Sequence, residues 1–246
     1  MKHPHIDLPA LKAKMFHTMW GELAGLGKLT SDYKVLCPIC LFPKAENELT
    51  LEHIIPKRAL KKDPSHLRKV HSITNRAGLT LLCQSCNGLK GKYYDPVIEP
   101  HFYFPMPALK PEHVGLDFKA RRTLAYLAAF RELGYSYILS GRKFEALRRD
   151  IQNPYVPSSL LGIDFLTGFH MQGQPNAYFD GWCDLYEGDK RIQSVFGCFD
   201  DGKSDYIQVR ARHLCTMMPA GKRTLIVPDQ YKAGPKFEVK LSGLKR

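Results

Sequence analysis

The sequence predicts an α+β protein. A polar, cysteine-bearing N-terminal part opens on a helix, and a C-terminal part has two helices followed by an antiparallel sheet. Three observations carry this. Apolar residues recur at helical spacing near the N-terminus and again after residue 117. Two Cys-x2-Cys pairs bracket a short strand-like run. Beyond residue 176 the texture changes to short β-branched or aromatic segments separated by Gly, Asp and Pro.

Residues 8–26 carry Leu8, Leu11, Met15, Met19 and Leu23 on one helical stripe, with Gly25 and Gly27 placed to end it. Packing against the rest of the fold is the role expected of this helix. Five prolines (Pro96, Pro100, Pro105, Pro107 and Pro111) fall within residues 96–111 and predict an extended, non-helical connector over 96–116. It separates an N-terminal domain, 1–95, from a C-terminal α+β domain, 117–246. In the latter, 118–133 reads as a helix closed by Gly134. Residues 142–152 read as a second helix, with Phe144, Leu147 and Ile151 facing inward. The segments 177–187, 191–199, 205–214, 223–228 and 236–241 read as about five strands of a mostly antiparallel sheet.

Cys37-x2-Cys40 and Cys83-x2-Cys86 are separated by 42 residues. A two-residue gap lets both thiolates of a pair face one ion, and two pairs complete a tetrahedral, closed, structural zinc site. A thioredoxin-like redox pair is the alternative, but neither motif sits in a βαβ pattern. Cys183, Cys198 and Cys215 lack such spacing and read as small buried hydrophobes.

Between the pairs lies LTLEHIIPK, residues 49–57. It reads as a strand stopped by Pro56, yet Glu52 and His53 are adjacent titratable groups at its end, costly to bury without a use. The order is CxxC, then Glu-His-Ile-Ile-Pro, then LLCxSCNxxKG. This resembles the HNH nuclease family over roughly residues 35–93. The resemblance implies a ββα-metal module, two antiparallel strands and a helix around a catalytic divalent ion, stapled by a structural zinc on Cys37, Cys40, Cys83 and Cys86. It further implies that His53 is the general base, that Glu52 and Asn87 hold the catalytic Mg²⁺ or Mn²⁺, and that Lys90 matches a lysine common one helical turn later. Two departures stand out. Glu52 occupies a position where Asp is commoner, and Gly78 stands where many members carry Asn, with Asn75 three residues earlier.

The chemistry suits these residue types. A histidine near its ordinary pKa can take a proton from water. Hard divalent cations prefer oxygen ligands and keep several waters. Neighbouring strand residues point to opposite faces, so Glu52 and His53 serve one site only where the strand ends or bends.

The net charge is +12, which suits an anionic partner, nucleic acid first. Residues 57–92 hold nine Lys or Arg against one acid, Asp63. Lys57, Arg58, Lys61, Lys62, Lys90 and Lys92 are the candidate phosphate contacts. Arg142 to Arg149 is a second basic stretch, better read as a solvated helix face. No apolar run spans a bilayer and the N-terminus lacks a signal-peptide pattern, so a cytoplasmic location with reduced thiols is expected. The reading is a metal-dependent DNA endonuclease giving 5′-phosphate and 3′-hydroxyl ends, in restriction or phage defence among the family's roles. A homodimer or a partner protein of such a system fits it. Two alternatives stay open: a zinc-stabilised nucleic-acid-binding module without catalysis, and a nuclease effector regulated by its C-terminal domain or a partner.

Overall fold

The computed structural model describes residues 7–29, 32–61, 78–102, 108, 110–161, 170–172, 184–187, 190–193, 196–199, 206–211 and 214–221. Helix α1 (Leu8–Gly25) begins where the Asp7 carboxylate accepts from the Ala10 N–H at 3.1 Å, an N-cap of the kind that short polar side chains favour. Pro9 fits the first turn because it has no N–H to leave unpaired. Met15, Phe16, Met19 and Leu23 are buried, whereas Leu8 remains exposed. The helix ends as the glycines require, with Gly27 at φ 63°.

Strands β1 (Val35–Leu36) and β2 (Pro43–Lys44) form a small antiparallel ribbon around the first cysteine pair. Strand β3 (Leu49–His53) pairs antiparallel with β4 (Leu79–Cys83), placing Leu49 opposite Cys83 and His53 opposite Leu79. A short helix α2 (Lys57–Lys61) follows β3. Beyond β4 the chain turns into α3 (Gln84–Leu89), widens into a π turn over Lys90–Tyr94, and tightens again in α4 (Asp95–Ile98).

The expectation of an extended, non-helical connector is wrong for the described residues of 96–116. Residues 95–98 are helical, Glu99–Phe102 is a 3₁₀ turn, and Pro111–Val114 is a one-turn helix, α5. The reason is positional. Pro96 and Pro111 sit in the first turn of their helices, where proline's fixed φ helps and its missing N–H costs nothing.

Helix α6 (Asp117–Ile138) is the central element, buried along most of its length. Its regular part stops at Gly134 (φ 72°, ψ −160°), as the glycine predicts, but a further turn resumes to Ile138. The Glu22 carboxylate presses against Gly134, in space a side chain there would fill, and accepts from the Ser136 N–H at 3.2 Å. Helix α7 (Arg142–Gln152) matches its expected span and buries Phe144, Leu147 and Ile151. It is clamped to α6 by buried ion pairs: Lys119 Nζ lies 2.8 Å and Arg122 3.5 Å from the fully buried Asp150.

The sheet is antiparallel, with strands β5 (His170–Gln172), β8 (Phe196–Phe199), β9 (Tyr206–Ala211) and β10 (Leu214–Pro219) in the order β5-β10-β9-β8. Strands β6 (Asp184–Glu187) and β7 (Lys190–Gln193) form a separate hairpin. Ile207, Val209 and Ala211 are buried at alternate positions of β9, the period expected of a strand with one face on a core. Strand β5 was not foreseen, nor was β10 beyond Leu214, and the segment read as one strand over 191–199 divides between β7 and β8. The expected strands at 223–228 and 236–241 lie outside the described residues, as does Cys183. Cys198 is partly buried, and the side chain of Cys215 on β10 also lies outside what is described. Among the described residues, no helix is long and apolar enough to cross a membrane.

Three hydrogen bonds tie the helical layer to the first cysteine pair. The hydroxyls of Tyr126 and Tyr135 donate to the carbonyls of Pro38 and Leu36, and the Gln152 amide donates to Ile39 O. The cysteine-bearing segment therefore rests on α6 and α7.

Candidate metal centre and adjoining cleft

The first pair stands on the turn between β1 and β2, where Cys37 N–H donates to Phe42 O and Leu41 N–H to Cys37 O. Leu41 adopts φ 57°, a left-handed conformation that reverses the chain immediately after Cys40. The second pair spans the junction of β4 and α3. The four sulfurs lie within 4.8 Å of one another, and Cys40 Sγ is 3.8 Å from Cys83 Sγ. With metal–sulfur bonds of about 2.3 Å, the edge of a tetrahedron is about 3.8 Å. Four thiols so gathered can hold a metal ion, and the soft donor set suits zinc. Hydrogen bonding to the Cys37 thiol lowers Cys40 and Cys83, whereas Cys37 and Cys86 are raised, so without an ion the four sulfurs share their protons unequally. The Cys83 N–H also points at Cys37 Sγ, 3.5 Å away.

At the end of the β3–β4 pair away from the cysteines, β3 ends at His53 opposite Leu79. Pairing stops one residue later, where Ile54 N–H donates to the carbonyl of Gly78 (φ 65°). The ending strand lets adjacent side chains share one space: Glu52 and His53 both line an open cleft. Pro56, Lys57, Arg58, Gly91, Asp95, Pro96 and Glu99 complete its lining. Lys57 and Arg58 are exposed. Burial, helped by the nearby charges of Lys57 and Lys90, lowers His53 to about 4, so its imidazole is neutral at pH 7.

Lys90 occupies a different place from the phosphate-contacting surface expected of it. Its ammonium is buried (3% exposed) and donates to Glu52 Oε1 at 2.8 Å, His53 O at 2.9 Å and Asp95 Oδ1 at 2.6 Å. An ammonium has three protons, and all three are committed. Asn87 is half-buried on α3 and donates through Nδ2 to Thr50 Oγ1 at 3.0 Å. That bond pins α3 to β3 two residues before Glu52 and leaves the carbonyl oxygen as the end of the amide able to serve a cation. Asn87 is not among the residues lining the cleft, whereas Asp95 and Glu99 are. Burial raises the Asp95 carboxyl above its ordinary range, and Lys90 opposes this.

Asp95 and Glu99 were missed by sequence reasoning. Their signal was weak: two acids at helical spacing on either side of Pro96, Asp95 the last residue of the expected N-terminal domain and Glu99 inside the run read as a connector. Lys92 is exposed and directly follows Gly91 of the lining. The side chain of Lys61 and all of Lys62 lie outside the described residues. No family model, curated protein or solved structure matches this chain.

Proposed function

We propose that this chain is a metal-dependent endonuclease of the HNH type, acting on DNA. The observation that carries the reading is the shared cleft of Glu52 and His53. They stand at the end of a β-hairpin whose following helix begins in a four-cysteine centre, and two exposed cations stand on the rim. The cysteine centre holds zinc and staples the hairpin to the helix, without a catalytic role.

In this reading a neutral His53 ring nitrogen takes a proton from the attacking water. Lys57 and Arg58 draw the phosphodiester into the cleft. Glu52 and Asp95, which line the cleft, would hold Mg²⁺ or Mn²⁺, with the Asn87 carbonyl a further oxygen donor from behind the lining. The bound cation supplies Lewis-acid stabilisation of the phosphate and the leaving 3′ oxygen. The donor types fit a hard cation, since all three offer oxygen. The products are 5′-phosphate and 3′-hydroxyl ends.

A regulated effector is the second reading, favoured by one observation: Lys90 already pairs with both Glu52 and Asp95. A nuclease whose carboxylates rest on an internal cation gains activity when that lysine is drawn away, for which a partner protein or a second copy is a source.

Supercoiled plasmid incubated with Mg²⁺ or Mn²⁺ tests the activity. Divalent-dependent nicking, with ends that DNA ligase reseals, is the expected result. Intact plasmid in the presence of tight DNA binding would instead favour a non-catalytic binding module.

A further inference from the structure

The π turn that supplies Gly91 to the cleft lining and the buried Lys90 to Glu52 carries two further residues outward. Lys92 is exposed, and its ammonium lies 4.9 Å from the centroid of the Tyr93 ring. Tyr93 meets Tyr155 edge to face, with centroids 5.3 Å apart and planes at 83°. Tyr155 is 76% exposed, as much as any large hydrophobic side chain among the described residues.

A single exposed tyrosine is ordinary. Tyr155 differs in being held rigidly from below. Its segment, Asn-Pro-Tyr-Val-Pro, has proline before it and two residues after, which restricts the backbone on both sides. The buried Lys119 ammonium donates to Asn153 O and to Val156 O, both at 2.6 Å, and is itself paired with the fully buried Asp150. The carbonyls on either side of Tyr155 are thus fixed by one lysine anchored in the α6–α7 interface. The result is an exposed aromatic ring on a restrained backbone, packed against Tyr93, whose neighbour Lys92 directly follows Gly91 of the cleft lining.

We infer that Tyr155 and Tyr93 form a stacking platform for an unpaired nucleobase of the nucleic-acid strand that enters the cleft, with Lys92 contacting the adjoining phosphate. The inference rests on the nuclease reading and narrows its substrate to nucleic acid with single-stranded character at or next to the scissile bond. An aromatic face stacks any base, and a neighbouring cation tracks the backbone. The chain's net charge of +12 and the exposed Lys57 and Arg58 favour a polyanionic strand over an apolar peptide as the occupant. Stacking gives no base identity, so the platform selects unpaired over paired strands and not one sequence over another.

The test uses the full chain without added magnesium or manganese, so that binding is read apart from cleavage. Fluorescence anisotropy would compare a labelled 12-mer of deoxythymidine, the same strand with abasic sites, the uridine 12-mer, and a duplex of equal length. Tyr155→Ala is expected to weaken binding of the deoxythymidine strand about tenfold, with less than about twofold change on the duplex or the abasic strand. Tyr155→Trp should restore affinity, and its indole fluorescence should fall on adding the base-bearing strand but not the abasic one. Equal losses on deoxythymidine and uridine strands show that the platform reads the base face and not the sugar. Wild-type affinity in Tyr155→Ala, or equal losses on base-bearing and abasic strands, would overturn the platform. If wild type binds and cuts while Tyr155→Ala is silent, the platform alone fails. If wild type binds no nucleic acid at low salt, the nuclease reading fails with it.

Discussion

Lys90 and Asp95 are joined twice across the π turn. The Asp95 N–H donates to Lys90 O, and the Lys90 ammonium donates to Asp95 Oδ1 at 2.6 Å. A π turn closes over five residues, so it brings these side chains together where an α-helix would set them apart. The same ammonium then reaches Glu52 on β3. One widened turn thereby fixes the geometry of two of the three carboxylates that line the cleft, Glu52 and Asp95, with Glu99 the third.

Removing that ammonium leaves two partly buried carboxylates without their cation. Lys90→Met is expected to destabilise the protein by roughly 3 kcal/mol, measured by urea unfolding. Adding Mn²⁺ should recover part of the loss, and should recover less in Lys90→Met with Glu52→Gln. A Lys90→Met protein as stable as wild type would show that the bonds to Glu52 and Asp95 contribute little.

The Glu22 carboxyl gives a pH signature. Burial raises it to about 8, against hydrogen bonds from the backbone of Ser136 and Tyr135 that oppose the shift. Its pKa is higher folded than unfolded, so its contribution to stability is fully present below the unfolded pKa, near 4.5, and is lost as pH rises through about 8. At about 1.4 kcal/mol for each pH unit between the two values, the loss reaches on the order of 5 kcal/mol. Melting temperatures taken from pH 5 to pH 9 should therefore fall for wild type and stay flatter for Glu22→Gln. Parallel curves would remove Glu22 as the cause.

The cysteine centre should bind about one zinc per chain, by elemental analysis. Cys40→Ser or a strong chelator should release the ion and unfold residues 35–94 before the α6–α7 pair, seen as early loss of amide protection in β3 and β4. Full protection in metal-free protein would show that the four thiols hold the hairpin without an ion.

Lys57 and Arg58 line the cleft and are exposed, so their role is electrostatic and screened by salt. Replacing both by Glu should weaken DNA binding most below about 50 mM salt and flatten the dependence of log affinity on log salt by about two contacts. An unchanged slope would place the phosphates elsewhere.

Much of the fold was legible because its signals are local. The stripe from Leu11 to Leu23 gave α1, Gly134 gave the break in α6, and Pro56 gave the end of β3. The cysteine spacing brought four sulfurs together correctly because a two-residue gap has few geometries. The rest depended on long-range packing. Prolines in first turns look the same in sequence as prolines in extended chain, so α4 and α5 were missed, and Asp95 and Glu99 with them. Lys90 looked like one more member of a basic run, and only the π turn shows that it faces inward. Nothing local marked His170–Gln172 as a strand, because its pairing partner on β10 lies more than forty residues away.

The central claim is that His53 works as a base in the cleft it shares with Glu52. Single-turnover nicking of supercoiled plasmid in Mn²⁺, wild type beside His53→Ala, tests it most directly. A general base contributes about 10²–10⁴-fold, so the variant should cut at least about a hundredfold more slowly while binding DNA and zinc as wild type does. Equal cutting rates would contradict the assignment of His53 and, with it, the site.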